Sequence, residues 1–250
     1  MKIQICSDLH LEFAANQKWL QKNPIPALAE TLIIAGDTFY LGRDYSKLDV
    51  IKKMADDFKQ VYLIPGNHEF YGGYDFDWAG RSFKERIFDN VHLLNNEIIE
   101  QEDVKLIFST MWSQINTNIR EVTKFMADFR LIHKRTERIA VNDYNEAHAA
   151  CFEFLEEAIA EKGKKVVITH HLPSASCNVK EFKNSPINEG FMVDKTAFIS
   201  DSDIDYWVYG HSHRNKAEFE INGTKMVTNQ LGYTEFSEGH GFNANKVIEL

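Results

Sequence analysis

Five short apolar runs in this chain each end on a polar side chain able to hold a metal ion or a phosphate, and this repeated ending limits the folds open to it. The runs KIQIC (2–6), TLIIA (31–35), VYLIP (61–65), KVVIT (165–169) and DYWVY (205–209) have the length and the β-branched and aromatic content of strands. They are followed by Ser7-Asp8-Leu9-His10, Gly36-Asp37, Gly66-Asn67-His68-Glu69, His170-His171 and Gly210-His211-Ser212-His213. In an open α/β sheet, ligands bind at the carboxyl edge of the strands. Asp8 and Asp37 stand 29 positions apart, and Asp37 and Asn67 stand 30 apart. Each interval is about the length of one βαβ unit. The first three endings are therefore expected on neighbouring parallel strands.

The intervening sequence supports an α/β reading. KLIFS (105–109) adds a sixth strand-like run. SKLDVIKKMADDFKQ (46–60) and NEAHAACFEFLEEAIAEKG (145–163) carry apolar residues at helical spacing, and Gly163 is a natural stop for the second. KAEFEINGTKMVTN (216–229) has two strand-like arms around Asn222-Gly223, a strong hairpin signal. The alternation predicts a mostly parallel sheet closed by an antiparallel hairpin. No apolar stretch approaches the roughly 18 residues of a membrane span. The N-terminus lacks a basic region followed by an apolar signal core, so the expected location is the cytoplasm. Cys6, Cys151 and Cys177 are odd in number and widely spaced, which disfavours a disulfide framework or a thiolate zinc site. The net charge of −9 argues against a nonspecific nucleic-acid binder, which usually carries a basic face.

The donors at the strand ends have a definite chemistry. Two carboxylates, four or five imidazoles and one amide oxygen, without a thiolate, suit manganese, iron, zinc or cobalt better than calcium. Some seven donors are too many for one tetrahedral zinc. They are about right for two ions sharing a bridging carboxylate, a pair able to hold a hydroxide between them and clamp a phosphate opposite it.

Taken in order, Asp8-Leu9-His10, Gly36-Asp37, Gly66-Asn67-His68-Glu69, His170 and Gly210-His211-Ser212-His213 resemble the motif set of the calcineurin-like metallophosphoesterase superfamily across nearly the whole chain. SDLHLEF, GNHEFYGG and THHLPS are similar to small bacterial-type members. The resemblance implies two packed mixed β-sheets flanked by helices, a four-layer α/β/β/α sandwich, with residues 1–250 as a single metallophosphoesterase domain. It places Asp8, His10 and His213 on a first metal, Asn67, His170 and His211 on a second, and Asp37 between them. His68 would face the phosphate, stabilise its charge and protonate the leaving group. Glu69 would be a structural hydrogen-bonding residue. His170 is chosen over His171 because the family's ligand usually follows the strand's last Ser or Thr, and His171 is then expected beside the substrate or behind the ligands. Tyr40 stands at the spacing of an iron-binding tyrosine in purple acid phosphatases. Those enzymes lack the histidine of Asp-x-His, which this chain has in His10, so Tyr40 is not counted as a ligand.

The implied activity is hydrolysis of a phosphomonoester or phosphodiester by a metal-bridging hydroxide, with no cofactor beyond the metals. A nuclease, a cyclic-nucleotide phosphodiesterase and a non-catalytic metal-binding scaffold are the alternatives. A protein phosphatase is disfavoured because Gly36-Asp37 runs on as TFYLGR rather than Asp-Arg-Gly. The stretch 112–144 is expected to form a helical cap over the site. Between Arg120 and Arg138 it holds six Lys/Arg against three acids. Arg130 and Arg135 are its expected phosphate-binding residues. The aromatic run Phe70, Tyr71, Tyr74, Phe76 and Trp78 is expected to pack, and His92, His133, His148 and His240 to be ordinary surface or core histidines.

Overall fold

The computed structural model describes residues 1–250. The chain forms strands β1 (Lys2–Cys6), β2 (Thr31–Ala35), β3 (Gln60–Ile64), β4 (Phe83–Phe88) and β5 (Val91–Asn95), then crosses to a second sheet at Asn96. There it forms β6 (Glu97–Gln101), β7 (Val104–Phe108), β10 (Lys164–Ile168), β11 (Tyr206–Tyr209), β12 (Phe219–Ile221) and β13 (Thr224–Thr228), with a two-residue-arm hairpin, β8 (His133–Lys134) and β9 (Glu137–Arg138), on the way. The last strand, β14 (Val247–Glu249), returns to the first sheet. The sheet orders are β14-β1-β2-β3-β5-β4 and β12-β13-β11-β10-β7-β6. β1, β2 and β3 are parallel neighbours, as are β7, β10, β11 and β13. The hairpin of β12 and β13 turns on Asn222 and Gly223, both at positive φ. That is the geometry this dipeptide favours in a two-residue hairpin loop.

The alternation of strand side chains splits the apolar residues between two faces. Ile3, Ile5, Ile33 and Ile64 from one sheet meet Leu106, Phe108, Val166 and Val208 from the other, forming the core between the sheets. On the outer face of the first sheet, Leu32, Ile34 and Leu63 pack beneath α1 (Ala14–Lys22) and α2 (Asp49–Asp57). α2 buries Val50, Ile51 and Met54, its helical stripe. The stretch after β7 carries two short helices, α3 (Ile119–Phe125) and α4 (Asp128–Leu131), before the long α5 (Val141–Ala160). α5 packs on both flanks: Tyr144 and Cys151 belong to the first outer cluster, Leu155 and Ile159 to the second. α6 (Thr196–Ser200) adds Ile199 to the second cluster. The result is the four-layer α/β/β/α sandwich, with all five polar strand endings at one rim. No helix is long and apolar enough to cross a membrane.

Candidate active site

The rim of the sandwich gathers the strand endings into one cluster. β1 delivers Asp8 and His10, β2 delivers Asp37, and β3 delivers Asn67 and His68. β10 delivers His170, and β11 delivers His211 and His213. Asp8, His10, Asp37, His211 and His213 all hold positive φ, from 47° at His10 to 75° at His211. Non-glycine residues seldom adopt that region, and each instance costs about 1–3 kcal/mol unless its surroundings hold it. Here they do. His10 N donates to Asp37 O at 2.9 Å, Asp8 N to Gly36 O at 3.0 Å, and His211 N to Asp8 Oδ1 at 3.0 Å. Glu69 is a hub for the backbone, accepting from Gly66 N (2.6 Å), Thr38 N (2.7 Å), Asp37 N (3.1 Å) and Phe39 N (3.3 Å). Two glycines let the strands approach. A Cβ on Gly36 would strike the His170 ring, and one on Gly66 would strike Asp37 Oδ1 and His170 Nε2.

Two donor groups meet at one carboxylate. The ligand atoms of Asp8, His10, Asp37 and His213 lie within 4.8 Å of one another, as do those of Asp37, His170 and His211, so Asp37 is common to both. His10 Nε2 and His213 Nε2 are 2.8 Å apart, and His170 Nε2 and His211 Nδ1 are 3.1 Å apart. Asn67 Oδ1 lies 3.2 Å from His170 Nε2. Donors about 2.0–2.1 Å from a shared ion, at about a right angle, stand about 3 Å from each other. The spacing and the all-nitrogen-and-oxygen donor set are thus those of groups that could hold metal ions. The far ring nitrogens are engaged as in metal-binding histidines: His170 Nδ1 with Ala35 O (2.9 Å), His213 Nδ1 with Glu238 Oε2 (2.6 Å), His10 Nδ1 with Glu12 Oε1 (3.0 Å). His211 is the exception, its Nε2 buried without a partner.

Protonation follows burial and neighbours. Burial holds His10 below, and His211 well below, the usual imidazole range. Burial works against ionisation of Asp37, but His170 and His68 outweigh it and hold its carboxyl well below the usual range. Neutral imidazole and ionised carboxylate are the forms that ligate a metal. Burial would also lower His170, yet Asp37 pushes it up to about 9. An ion arriving there would displace a proton. His68 behaves similarly: burial opposes its charge, but Asp37 and the Glu12 hydrogen bond push it up to about 9.

Four residues at the site had no role in the sequence reading. Glu12 Oε1 reaches His68 Nδ1 at 2.8 Å as well as His10. Its only signal is its place in SDLHLEF, two residues after His10. Tyr233 OH lies 3.0 Å from His68 Nε2, and nothing in the sequence around it marks this. Asp128 Oδ1 accepts from Asn67 Nδ2 (2.9 Å) and from Tyr71 OH (2.5 Å). Holding the amide nitrogen of Asn67 leaves its oxygen turned to His170. Tyr71 was expected only to pack, whereas Phe70 and Phe76 do pack, edge-on against the buried Trp112.

The structure does not bring the other expected residues to the substrate side. His171 is fully buried behind His211, their ring centroids 4.3 Å apart, with Nε2 on Tyr144 OH at 2.9 Å. Arg130 and Arg135 do not line the cavity over the metal donors. α4 turns Asp128 and Phe129 inward, so Arg130 points out and donates to Lys124 O at 3.0 Å. Arg135 sits in the turn of the β8–β9 hairpin and pairs with Asp77 at 3.2 Å, while Lys134 pairs with Asp143 at 2.8 Å. Lys134 and Arg135 are thereby held by acids on the outer side, away from the cavity. What the stretch 112–144 lends the cavity is Phe125, Met126, Ala127, Asp128 and Leu131. Tyr40 lines the same cavity, stacked on Phe39.

A family described as calcineurin-like phosphoesterase matches residues 1–215. An uncharacterized protein of Acanthamoeba polyphaga mimivirus is 29% identical over 279 residues, spanning 99% of this chain and 96% of its own length. Among solved structures, the phosphopantetheinyl hydrolase PptH from Mycobacterium tuberculosis is similar with a TM-score of 0.65 at 14% identity, over 94% of this chain and 90% of that one. That likeness is one of fold.

Proposed function

The chain belongs to the calcineurin-like phosphoesterase family, whose members are metal-dependent phosphoesterases, and from that premise we propose that it hydrolyses a phosphomonoester or phosphodiester at a two-metal centre. Asp8, His10, Asp37 and His213 would hold one ion, and Asp37, Asn67, His170 and His211 the other. Asp37, common to both donor groups, is the observation that carries this reading. Manganese, iron, zinc or cobalt bound there would supply Lewis acidity and bring the pKa of a coordinated water down towards about 7. The protein's own groups do the rest. His68 lines the cavity, and Asp37 and the Glu12 hydrogen bond favour its protonated form against burial. It is placed to stabilise charge on the phosphate and to protonate the departing alkoxide. Glu12 and Tyr233 fix its ring from opposite nitrogens. On this reading residues 1–250 act as one domain, with 112–144 as a cap whose α3 and α4 wall the cavity.

The test is metal content together with turnover. Protein loaded with each of the four metals is analysed for bound equivalents and assayed with p-nitrophenyl phosphate and bis(p-nitrophenyl) phosphate. Two equivalents, and turnover that disappears on chelation and returns on reloading, are expected. A single equivalent with no second binding event rejects the two-metal centre. No turnover of either ester with any metal rejects the hydrolytic reading.

A further inference from the structure

The cavity over the metal donors is about 690 Å³, within the range of sites that enclose a whole drug-sized ligand and far larger than a phosphate group needs. Eleven of its 23 lining residues are hydrophobic. Phe13, Phe125 and Leu131 line it while remaining 42%, 55% and 44% exposed. Apolar surface left open to water beside a reaction centre is a mark of a ligand groove. Phe191 carries this surface up to the metal donors, stacked on His211 with centroids 4.7 Å apart and planes 30° apart.

The charges lining the cavity disfavour a second anion. Apart from the metal donors and His68, its charged lining residues are Asp128, Arg214 and Glu238. Arg214 is charge-paired: Nε donates to Glu181 at 2.6 Å, Nη1 donates to His213 O at 3.1 Å, and Glu238 stands 3.9 Å away. Asp128 Oδ2 is buried with no partner. A further phosphate or carboxylate on the substrate would find one cation, Arg214, already set between the carboxylates of Glu181 and Glu238. Polyphosphates and nucleic acid strands need free cations.

We propose that the substrate is a phosphate ester whose organic part is bulky, uncharged and ring-bearing, seated against Phe125 and Phe191 while its phosphate lies at the Asp37 cluster. The inference rests on the phosphoesterase reading and names the substrate class for that same site. Burying one extra ring against apolar walls favours a ligand by about tenfold or more.

The experiment compares phenyl, 2-naphthyl and 4-carboxyphenyl phosphate on the metal-loaded protein, and measures 2-naphthol binding to metal-stripped protein by the fluorescence of the naphthol. Expected are a kcat/KM for the naphthyl ester about tenfold above the phenyl ester, a loss of about tenfold for the carboxylated ester, and saturable naphthol binding. Phe125→Ala should narrow the naphthyl-to-phenyl ratio and weaken naphthol binding. A nucleoside 5′-monophosphate, as a further substrate, distinguishes a polar ring from an apolar one. Equal rates on phenyl and naphthyl esters, or a preference for the carboxylated one, overturn the substrate class while leaving the phosphoesterase reading standing. Naphthol binding without cleavage of any ester overturns the hydrolytic reading and leaves the cavity's preference intact.

Discussion

Glu12 Oε1 is shared by two imidazoles of different duty, His10 among the metal donors and His68 facing the cavity. Removing a carboxylate behind a ligating histidine lowers metal affinity by roughly 10–100-fold. Glu12→Ala should therefore weaken metal binding, read by titration calorimetry, and also slow turnover by freeing His68. Unchanged affinity would mean that backbone alone holds His10. His68→Ala should separate the two duties: metal content stays, and the rate falls by about 10²–10⁴, the usual size of a general-acid contribution. The loss should shrink for esters with very good leaving groups. Metal loss in this variant would assign His68 to the centre itself. The side chains that the structure clusters at the rim were legible because each follows an apolar run, a local pattern. Glu12, Asp128 and Tyr233 were not, because they reach their partners across 56, 61 and 165 residues of sequence. No local pattern encodes such a meeting.

Among the elements, the strands that end at the site were read from the sequence to within a residue, since buried parallel strands are continuous apolar runs. β4 and β6 were not. FKERIF and EIIEQ lie at the sheet edges, half exposed and charged, the composition by which edge strands resist pairing with other chains. The stretch 112–144 was expected as a helical cap with arginines facing the phosphate, but its helices span only seven and four residues. At that length one inward position decides the phase, and Asp128 takes it. α5 offers a test of element stability. Burial holds His148, with Nδ1 on Trp112 O, down to about 4, whereas an unfolded histidine titrates near 6.5. As pH falls the unfolded chain takes up this proton first, so stability is full above about 6.5 and declines as pH drops towards about 4. His148→Gln should flatten the fall in Tm between those pH values relative to the parent protein. Parallel curves would show that other groups set the acid limit.

For the whole molecule, the local pattern described one mostly parallel sheet. That there are two, packed face to face, came from the family resemblance rather than from periodicity. The crossover is a single residue, Asn96, between β5 and β6, and the return is the three-residue β14. Neither is long enough to show as a break in composition. Packing in four layers leaves no thiol accessible: Cys6, Cys151 and Cys177 are all buried and unpaired. Burial pushes the Cys177 thiol up to about 12, and the thiolate is the reactive form. A colorimetric thiol reagent should modify none of the three in the native protein at neutral pH and all three after denaturation. One fast-reacting thiol in the native state would contradict this packing.

Asn96 divides the donors, and it separates the second sheet from all of the first but β14. Asp8, His10, Asp37 and Asn67 precede it, and His170, His211 and His213 follow it. Each of the two donor groups draws from both sides of that residue. Bound ions would thus be the one set of bonds joining the halves that can be added or withdrawn at will, and their binding energy would appear as cohesion between the sheets. Separately produced fragments 1–96 and 97–250 should associate far more tightly with metal than with chelator, measured by analytical ultracentrifugation. Association indifferent to metal would mean that the core between the sheets and the pairing of β14 with β1 suffice without the centre at the rim.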